Sequence, residues 1–259
     1  MTSTTGSALI SLTSVSDVVR LLVVVFALAV FAGLLRKRTG LGNGRDEVWA
    51  IARATVQLLA VGLVITAVLG SWLFTALFVL VMVVVAARTS SSRIGIKLHR
   101  ERALILLPIA LGAIPITLLL IWVGLLPAQP VSVIPTAGIL IGNAMTGTTL
   151  AGKQSFAALH SRKGEVEAAL SIGLLDREAR LMVCQEPAQL ALVPTVDTTR
   201  TVGLVTLPGA FVGTLLGGAT PLEASALQLI VLVGIIVAQS IAVPLVLELI
   251  VRGQVTQRA

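Results

Sequence analysis

The run ALILLPIALGAIPITLLLIWVGLL, residues 103–126, holds 24 residues without one charged side chain. Wound as an α-helix it is about 36 Å long at 1.5 Å per residue, enough to cross the roughly 30 Å hydrocarbon core of a bilayer. It is bounded by Arg100, Glu101 and Arg102 on one side and by Pro127 and Pro130 on the other. Outward from it, six further apolar runs appear, at roughly 18–35, 48–69, 71–87, 132–151, 201–218 and 224–250. None alternates with period two, which excludes the strands of an outer-membrane barrel. The composition agrees. Of the 259 residues 56% are hydrophobic and 12% charged, with a mean hydropathy of +1.01, more apolar surface than a soluble chain of this length can bury. These observations predict an all-α, polytopic integral membrane bundle of about seven transmembrane helices, forming one domain over residues 1–259.

The net charge of +7 would suit nucleic acid, but its placement speaks for a membrane. Basic residues gather in loop 36–47, in loop 88–102, in the region 152–200 and at the C-terminus, and these segments hold 17 of the 19 Lys and Arg. If the chain crosses seven times, all four lie on one side. The opposite loops, around Gly70–Ser71, Pro127–Pro130 and Gly218–Glu223, hold no Lys or Arg. Arg20 near the first run and Arg53 within the second complete the count; Arg53 is close enough to its helix end to snorkel. By the positive-inside rule the N-terminus is outside and the C-terminus cytoplasmic, in the cytoplasmic (inner) membrane. Anionic headgroups account for the basicity with no nucleic-acid partner. The N-terminus MTSTTGSALISLTSVSD lacks a basic n-region, so no cleaved signal peptide is expected.

Chemistry-bearing motifs are scarce. Cys184 is the only cysteine, so no disulfide framework exists. His99 and His160 are the only histidines, which leaves no cluster for a metal site. No Walker phosphate loop occurs, so energised work would need ATP-Mg bound elsewhere, and this chain is expected to bind no cofactor itself.

The densest charge is at Ser161–Glu186, where nine of 26 residues are charged. Within it, GEVEAALSIGLLDREAR (164–180) contains E-A-A-x-x-x-G from Glu167 to Gly173. That spacing reads as a short helix closed by a glycine in the left-handed C-cap conformation. A second helix then starts at Asp176, a good N-cap residue, and carries Arg177. Ala168 and Ala169 permit close approach of a partner, and Glu165 and Glu167 offer charge at its edge. The element is either a docking elbow or a solvated amphipathic loop.

The same spacing resembles the coupling element through which ABC importer permeases touch their ATPase. Three stretches, IGNAMTGTTLAGKQ (141–154), EVEAALSIG (165–173) and PTVDTTRTVGLVTLPGAFVGTLLGGATPLEA (194–224), together resemble the FetB-type (UPF0014) permease family. Its bacterial members are known as the permease of an iron exporter, its plant relatives as half-transporters in aluminium tolerance. The resemblance implies a permease subunit exporting a metal ion or metal complex, working as a permease dimer with separate ATPase subunits. The ATPase would dock on a coupling segment at about 153–199, with Glu165, Glu167, Ala168, Ala169, Gly173, Asp176 and Arg177 at the contact. Two departures stand out. Residues 210–214 are Ala-Phe-Val-Gly-Thr where the family carries methionines, soft ligands for a metal, and Asp197 stands where Asn is expected.

Polar residues inside apolar spans are functional candidates by default. Asn143 and Thr146 share a face of the fifth run, Gln57 lies on the second beside Arg53, and Gln228 and Gln239 are on the last. With Pro208 they are the candidate transport pathway; each polar side chain has the alternative of bonding a neighbouring helix. Gly138 with Gly142, and Gly209 with Gly213 and Gly217, form G-x-x-x-G rows for close helix packing. Pro108 and Pro115 fall in the run 103–126 and predict kinks. Glu248 and Arg252 are spaced for an ion pair. A secondary transporter or a membrane-embedded enzyme are the alternatives to a permease. The first would need a carboxylate at mid-membrane, where only Glu248 near one end is available. The second would need a catalytic cluster, for which Asp197, Arg200 and His160 show no recognisable spacing.

Overall fold

The structure, a computed structural model, describes residues 14–40 and 45–257. The first 13 residues, the tip of the first basic loop and residues 258–259 lie outside the described residues, and with them most of the stretch read for a signal peptide. All regular elements among the described residues are helices. By packing they fall into two units, Met1–Val68 and Leu69–Ala259.

The first unit holds α1 (Val15–Arg38) and α2 (Arg45–Leu69). Ser14 starts α1 with a capping box: its hydroxyl accepts the Asp17 N–H while the Asp17 carboxylate accepts from the Ser14 N–H, satisfying two end donors. Arg36, Lys37 and Arg38 close the helix, cations at the negative end of its dipole. Phe26, Phe31, Leu58 and Leu63 are exposed, as lipid-facing side chains would be.

The second unit holds α3 (Trp72–Ile94), α4 (His99–Leu104), α5 (Leu106–Trp122), α6 (Pro130–Ser161), α7 (Lys163–Ser171), α8 (Asp176–Gln189), α9 (Val193–Thr201), α10 (Gly209–Leu216) and α11 (Pro221–Val251). Its frame is α3, α5, α6 and α11. Gly138 and Gly152 of α6 face Met82 and Ile94 of α3, so these helices run in the same direction. Leu140 faces Gly234 and Gly147 faces Gln239 and Val243, so α11 runs that way too. In α5, Gly112 lies against Ala238 and Ala242, while Ile116 meets Gly234, so α5 runs the opposite way. The seam is built of fully buried small residues, Ala113, Ala137, Ala144, Ala151, Ala238 and Ala242. In lipid, apolar contact alone does not drive helices together, and close backbone approach does. Gly112 meets backbone most closely: a Cβ there would sit 2.7 Å from the Ala238 carbonyl oxygen, as close as one at Gly152 would sit to the Ile94 side chain.

Five helical stretches are long and apolar enough to cross a membrane, Ser16–Arg38, Trp72–Ile94, His99–Trp122, Pro130–Ser161 and Pro221–Val251, and α2 adds the shorter apolar stretch Val48–Leu63. The chain is a multi-pass helical membrane bundle. The run 201–218 differs from its expectation as a single helix. It is the end of α9, a non-helical stretch and the eight-residue α10, which is only about 12 Å long. Pro108 likewise does not interrupt a helix. It lies in the first turn of α5, where its missing N–H is no loss, and only Pro115 is interior.

One end of this unit gathers the basic loop 88–102, the 162–186 segment and the C-terminus. The Gln257 carboxamide donates to the Ile94 carbonyl at 3.0 Å, and Glu101 accepts from the Thr256 N–H at 3.0 Å. Arg177 pairs with Glu248.

Candidate functional site

At that end hangs the elbow. α7 ends at Ser171, and Gly173 follows with φ +95°. The Leu174 N–H bonds the Ala169 carbonyl at 3.1 Å and the Gly173 N–H bonds Leu170 at 3.0 Å, the paired bonds of a Schellman motif that only an αL residue such as glycine closes without strain. α8 begins with Asp176, but its cap is different from the sequence expectation. Leu175 takes the cap position, and the Glu178 carboxylate accepts from the Leu175 N–H at 3.3 Å. Asp176 instead pairs with Arg180 at 3.1 Å, one turn on.

Charges tie the elbow down at its sides. The Arg162 guanidinium donates to the Glu165 carboxylate, at 2.7 Å from Nε, and reaches the Val183 carbonyl of α8 at 3.4 Å. That bond holds the Glu165 carboxyl below its ordinary range. Lys163 and Glu167 pair at 3.3 Å on the open surface. Ala169 is buried, whereas Ala168, Ile172 and Leu175 are exposed, the last two at 79% and 69%. The tip therefore presents an apolar patch rimmed by Glu167 and Lys163, outside any apolar span. Cys184 is on the buried side of α8 with its Sγ 3.6 Å from the Ser155 carbonyl of α6, and burial pushes the thiol up to about 11.

Arg177 is not part of the free tip. Its Nε and Nη2 donate to the two Glu248 oxygens at 2.7 and 2.8 Å, a bidentate pair across 71 residues of sequence. Arg252 donates to Glu248 as well, so the i,i+4 pair read from the sequence is one half of a three-residue clamp joining α8 to the end of α11.

The second part of the site is the broken crossing. Arg177 sits at the C-terminal end of α11, whereas Pro221 opens that helix, so the chain between them must return across the bundle. It does so through α9, the non-helical residues 202–208 and α10. Gly203 takes φ +86° and its N–H bonds the Thr206 carbonyl at 2.9 Å. Leu207 precedes Pro208 and is steered away from helix, and Pro208 stands extended at the start of α10 with ψ 152°. Between this break and α11 lies a cavity of about 340 Å³ lined by Val202, Gly203, Pro208, Phe211, Ser225 and Gln228, with leucines closing the rest. Gln228 is buried, and its Oε1 has no hydrogen-bond partner. An unpaired buried amide oxygen costs about 1–3 kcal/mol, a cost a bound molecule with a donor would remove. Two of the residues chosen from sequence as pathway candidates, Pro208 and Gln228, thus line one cavity.

The others are elsewhere. The Asn143 carboxamide donates to the Ile139 carbonyl of its own helix at 2.8 Å, and the Thr146 hydroxyl bonds Gly142 at 3.0 Å. Asn143 offers its backbone carbonyl to the Gln239 carboxamide of α11 at 3.1 Å. Gln57 is exposed on α2 in the first unit. Of the glycine rows, Gly138 meets Met82, whereas a side chain at Gly142, Gly209 or Gly213 would meet nothing within 4 Å and one at Gly217 only its own turn. The tight glycines that the pattern missed are Gly112, Gly147, Gly152 and Gly234. Their signal, a glycine opposite the backbone or a large side chain of a neighbouring helix, is invisible until the partner helix is known. Among the described residues no group of three His, Cys, Asp or Glu side chains converges as a metal site, and Asp197 pairs with Arg200 at 3.3 Å on α9.

The pattern of an uncharacterised protein family, UPF0014, matches residues 19–254. The chain is 35% identical over 196 residues to the UPF0014 membrane protein STAR2 of Oryza sativa subsp. japonica, covering 74% of this chain and 68% of that one. It is 34% identical over 191 residues to the protein ALUMINUM SENSITIVE 3 of Arabidopsis thaliana, covering 72% and 69%. It is 31% identical over 208 residues to the "probable iron export permease protein FetB" of Escherichia coli (strain K12), covering 79% of each. No solved structure matches.

Proposed function

Because the chain belongs to the UPF0014 family of membrane proteins, we propose that it is the permease subunit of an ABC-type exporter. A separate ATPase subunit, carrying ATP-Mg, drives it, and two permeases form the working dimer. The elbow and the C-terminus face the cytoplasm and the N-terminus faces outward. The observation that carries this reading is the elbow itself. Its tip is exposed and apolar, and its root is tied to a membrane-spanning helix by the Arg177–Glu248 pair. A partner gripping Ala168, Ile172 and Leu175 would pull on α11 through that pair. Twenty residues along α11, about 30 Å at helical rise, Gln228 lines the cavity, so one continuous helix, with Pro244 in its interior, connects the grip to the broken crossing. Discontinuous helices are where transporters bind and gate.

The relative named for iron export supports a metal as cargo. The cavity narrows its form. Its lining holds a carboxamide and a serine hydroxyl among apolar groups and no carboxylate, thiol or imidazole. A naked divalent cation would lose its hydration there with no anionic ligand in exchange, whereas a neutral metal complex would keep its own ligands. The metal complex is therefore the favoured cargo.

The test is co-purification of the tagged protein with its candidate ATPase, with hydrolysis assayed beside Glu167→Lys and a Glu167→Lys/Gly173→Leu variant. Wild type bringing down an ATPase that the variants lose, or hold uncoupled, supports the reading. No ATPase partner and no effect of either change would return residues 164–180 to a solvated loop and discard the permease.

A further inference from the structure

At the elbow end, on the flank formed by α3 and α5, lies a second pocket of about 240 Å³. It is lined by Arg88 with Val84 and Ala87 of α3, by His99, Arg102 and Ala103 of α4, and by Leu106 at the start of α5. Three nitrogen-bearing side chains share it with four apolar ones. The Arg102 guanidinium is fixed in place, its Nε donating to the Ile96 carbonyl at 2.9 Å, while Arg88 is exposed. Loop 88–102 contains one acid, Glu101, and that carboxylate is turned to the C-terminal tail, accepting from the Thr256 N–H and hydroxyl. Among the described residues no carboxylate forms an ion pair with Arg88, His99 or Arg102.

The surroundings say what kind of anion fits. Toward the membrane, α3 exposes Leu77, Leu80, Val81 and Val84, and α5 exposes Leu107 and Leu111, a lipid-facing surface that runs directly into the pocket. A ligand that satisfies both halves carries a phosphate for the guanidinium groups and hydrocarbon for the helix faces. We propose that this pocket binds the phosphate of an anionic membrane phospholipid, seated where α3, the short α4 and α5 meet. The site lies on a different flank from the cavity at the broken crossing and does not rest on the transport reading.

The experiment is lipid binding to the purified full chain in nanodiscs of phosphatidylcholine with and without phosphatidylglycerol. Retained lipid is counted by native mass spectrometry, and a parallel arm adds inorganic phosphate. Wild type should retain phosphatidylglycerol roughly tenfold over phosphatidylcholine. The Arg88→Gln/Arg102→Gln variant, and more weakly Arg88→Gln alone, should lose that preference. Arg100→Gln, in the same loop but outside the lining, should keep it. The single Arg88→Gln change leaves the Arg102–Ile96 bond intact and so tests the site even if the double variant fails to fold. Equal loss in Arg100→Gln would reduce the pocket to a diffuse basic surface and overturn the proposal. So would an unchanged Arg88→Gln, or displacement of the lipid by millimolar inorganic phosphate, which would make it a site for soluble phosphate.

Discussion

α6 and the α9–α10 crossing traverse the same unit, and they are built in opposite ways. α6 is one helix of 32 residues with Leu140, Ala144, Thr148 and Ala151 wholly buried. The crossing is two short helices with no buried residue in either, joined by a stretch in which Leu204 is 93% exposed. A seam of alanines and glycines cannot move without losing close contacts that nothing else replaces. A broken crossing held by few contacts can shift at low cost. The contrast makes α3, α5, α6 and α11 the frame and leaves the crossing the less tightly packed part, with the Arg177–Glu248–Arg252 clamp between the elbow and α11.

The largest effect should come from forcing the frame apart. Gly112→Leu drives a side chain into the Ala238 carbonyl and should cost about 3 kcal/mol. Gly213→Leu in α10, where a side chain meets open space, should change stability by less than about 0.5 kcal/mol. Thermal unfolding in detergent measures both, and equal losses would erase the distinction between frame and crossing. Next comes the clamp. Both Arg177 and Glu248 are partly exposed, so Glu248→Ala should cost less than about 1 kcal/mol. It should nonetheless reduce substrate-stimulated ATP hydrolysis severalfold in the reconstituted complex. Full coupling in that variant would show that the elbow acts on some other helix.

Smaller still is the effect of Gln228→Leu on stability. Removing an unpaired buried amide should leave unfolding unchanged or raise it by up to about 1 kcal/mol, while transport falls; a marked destabilisation would mean that Gln228 is a packing residue. Least of all should happen at Cys184. With its thiol buried and raised to about 11, it stays protonated at neutral pH. Maleimide at pH 7 should leave it unlabelled until the protein is denatured, and fast labelling would place α8 away from α6.

The elbow was legible in the sequence because it is held by local bonds. The Gly173 turn, the helix before it and the helix from Asp176 are each closed by partners within five residues. The long apolar helices were legible for the same reason, since in lipid a backbone must satisfy its own hydrogen bonds within the segment. Pro208 and Gln228 were visible as polar or rigid exceptions in an apolar run. That they meet in one cavity was not, because α10 and a turn lie between them. The reading of 201–218 as a helix failed at Gly203 and Leu207–Pro208, where the backbone preferences that break it were outweighed by hydropathy.

A helical membrane protein, with a charged end and an elbow closed by Gly173 at that end, follows from the amino-acid sequence alone. Those properties follow from composition, hydrogen bonding within a segment and capping. That Arg177 reaches Glu248, that Gly112 and not Gly209 is a tight contact, and that Arg88 and Arg102 converge emerges from the packed helices. Each of these depends on which helix lies beside which, a matter of packing between residues distant in the chain.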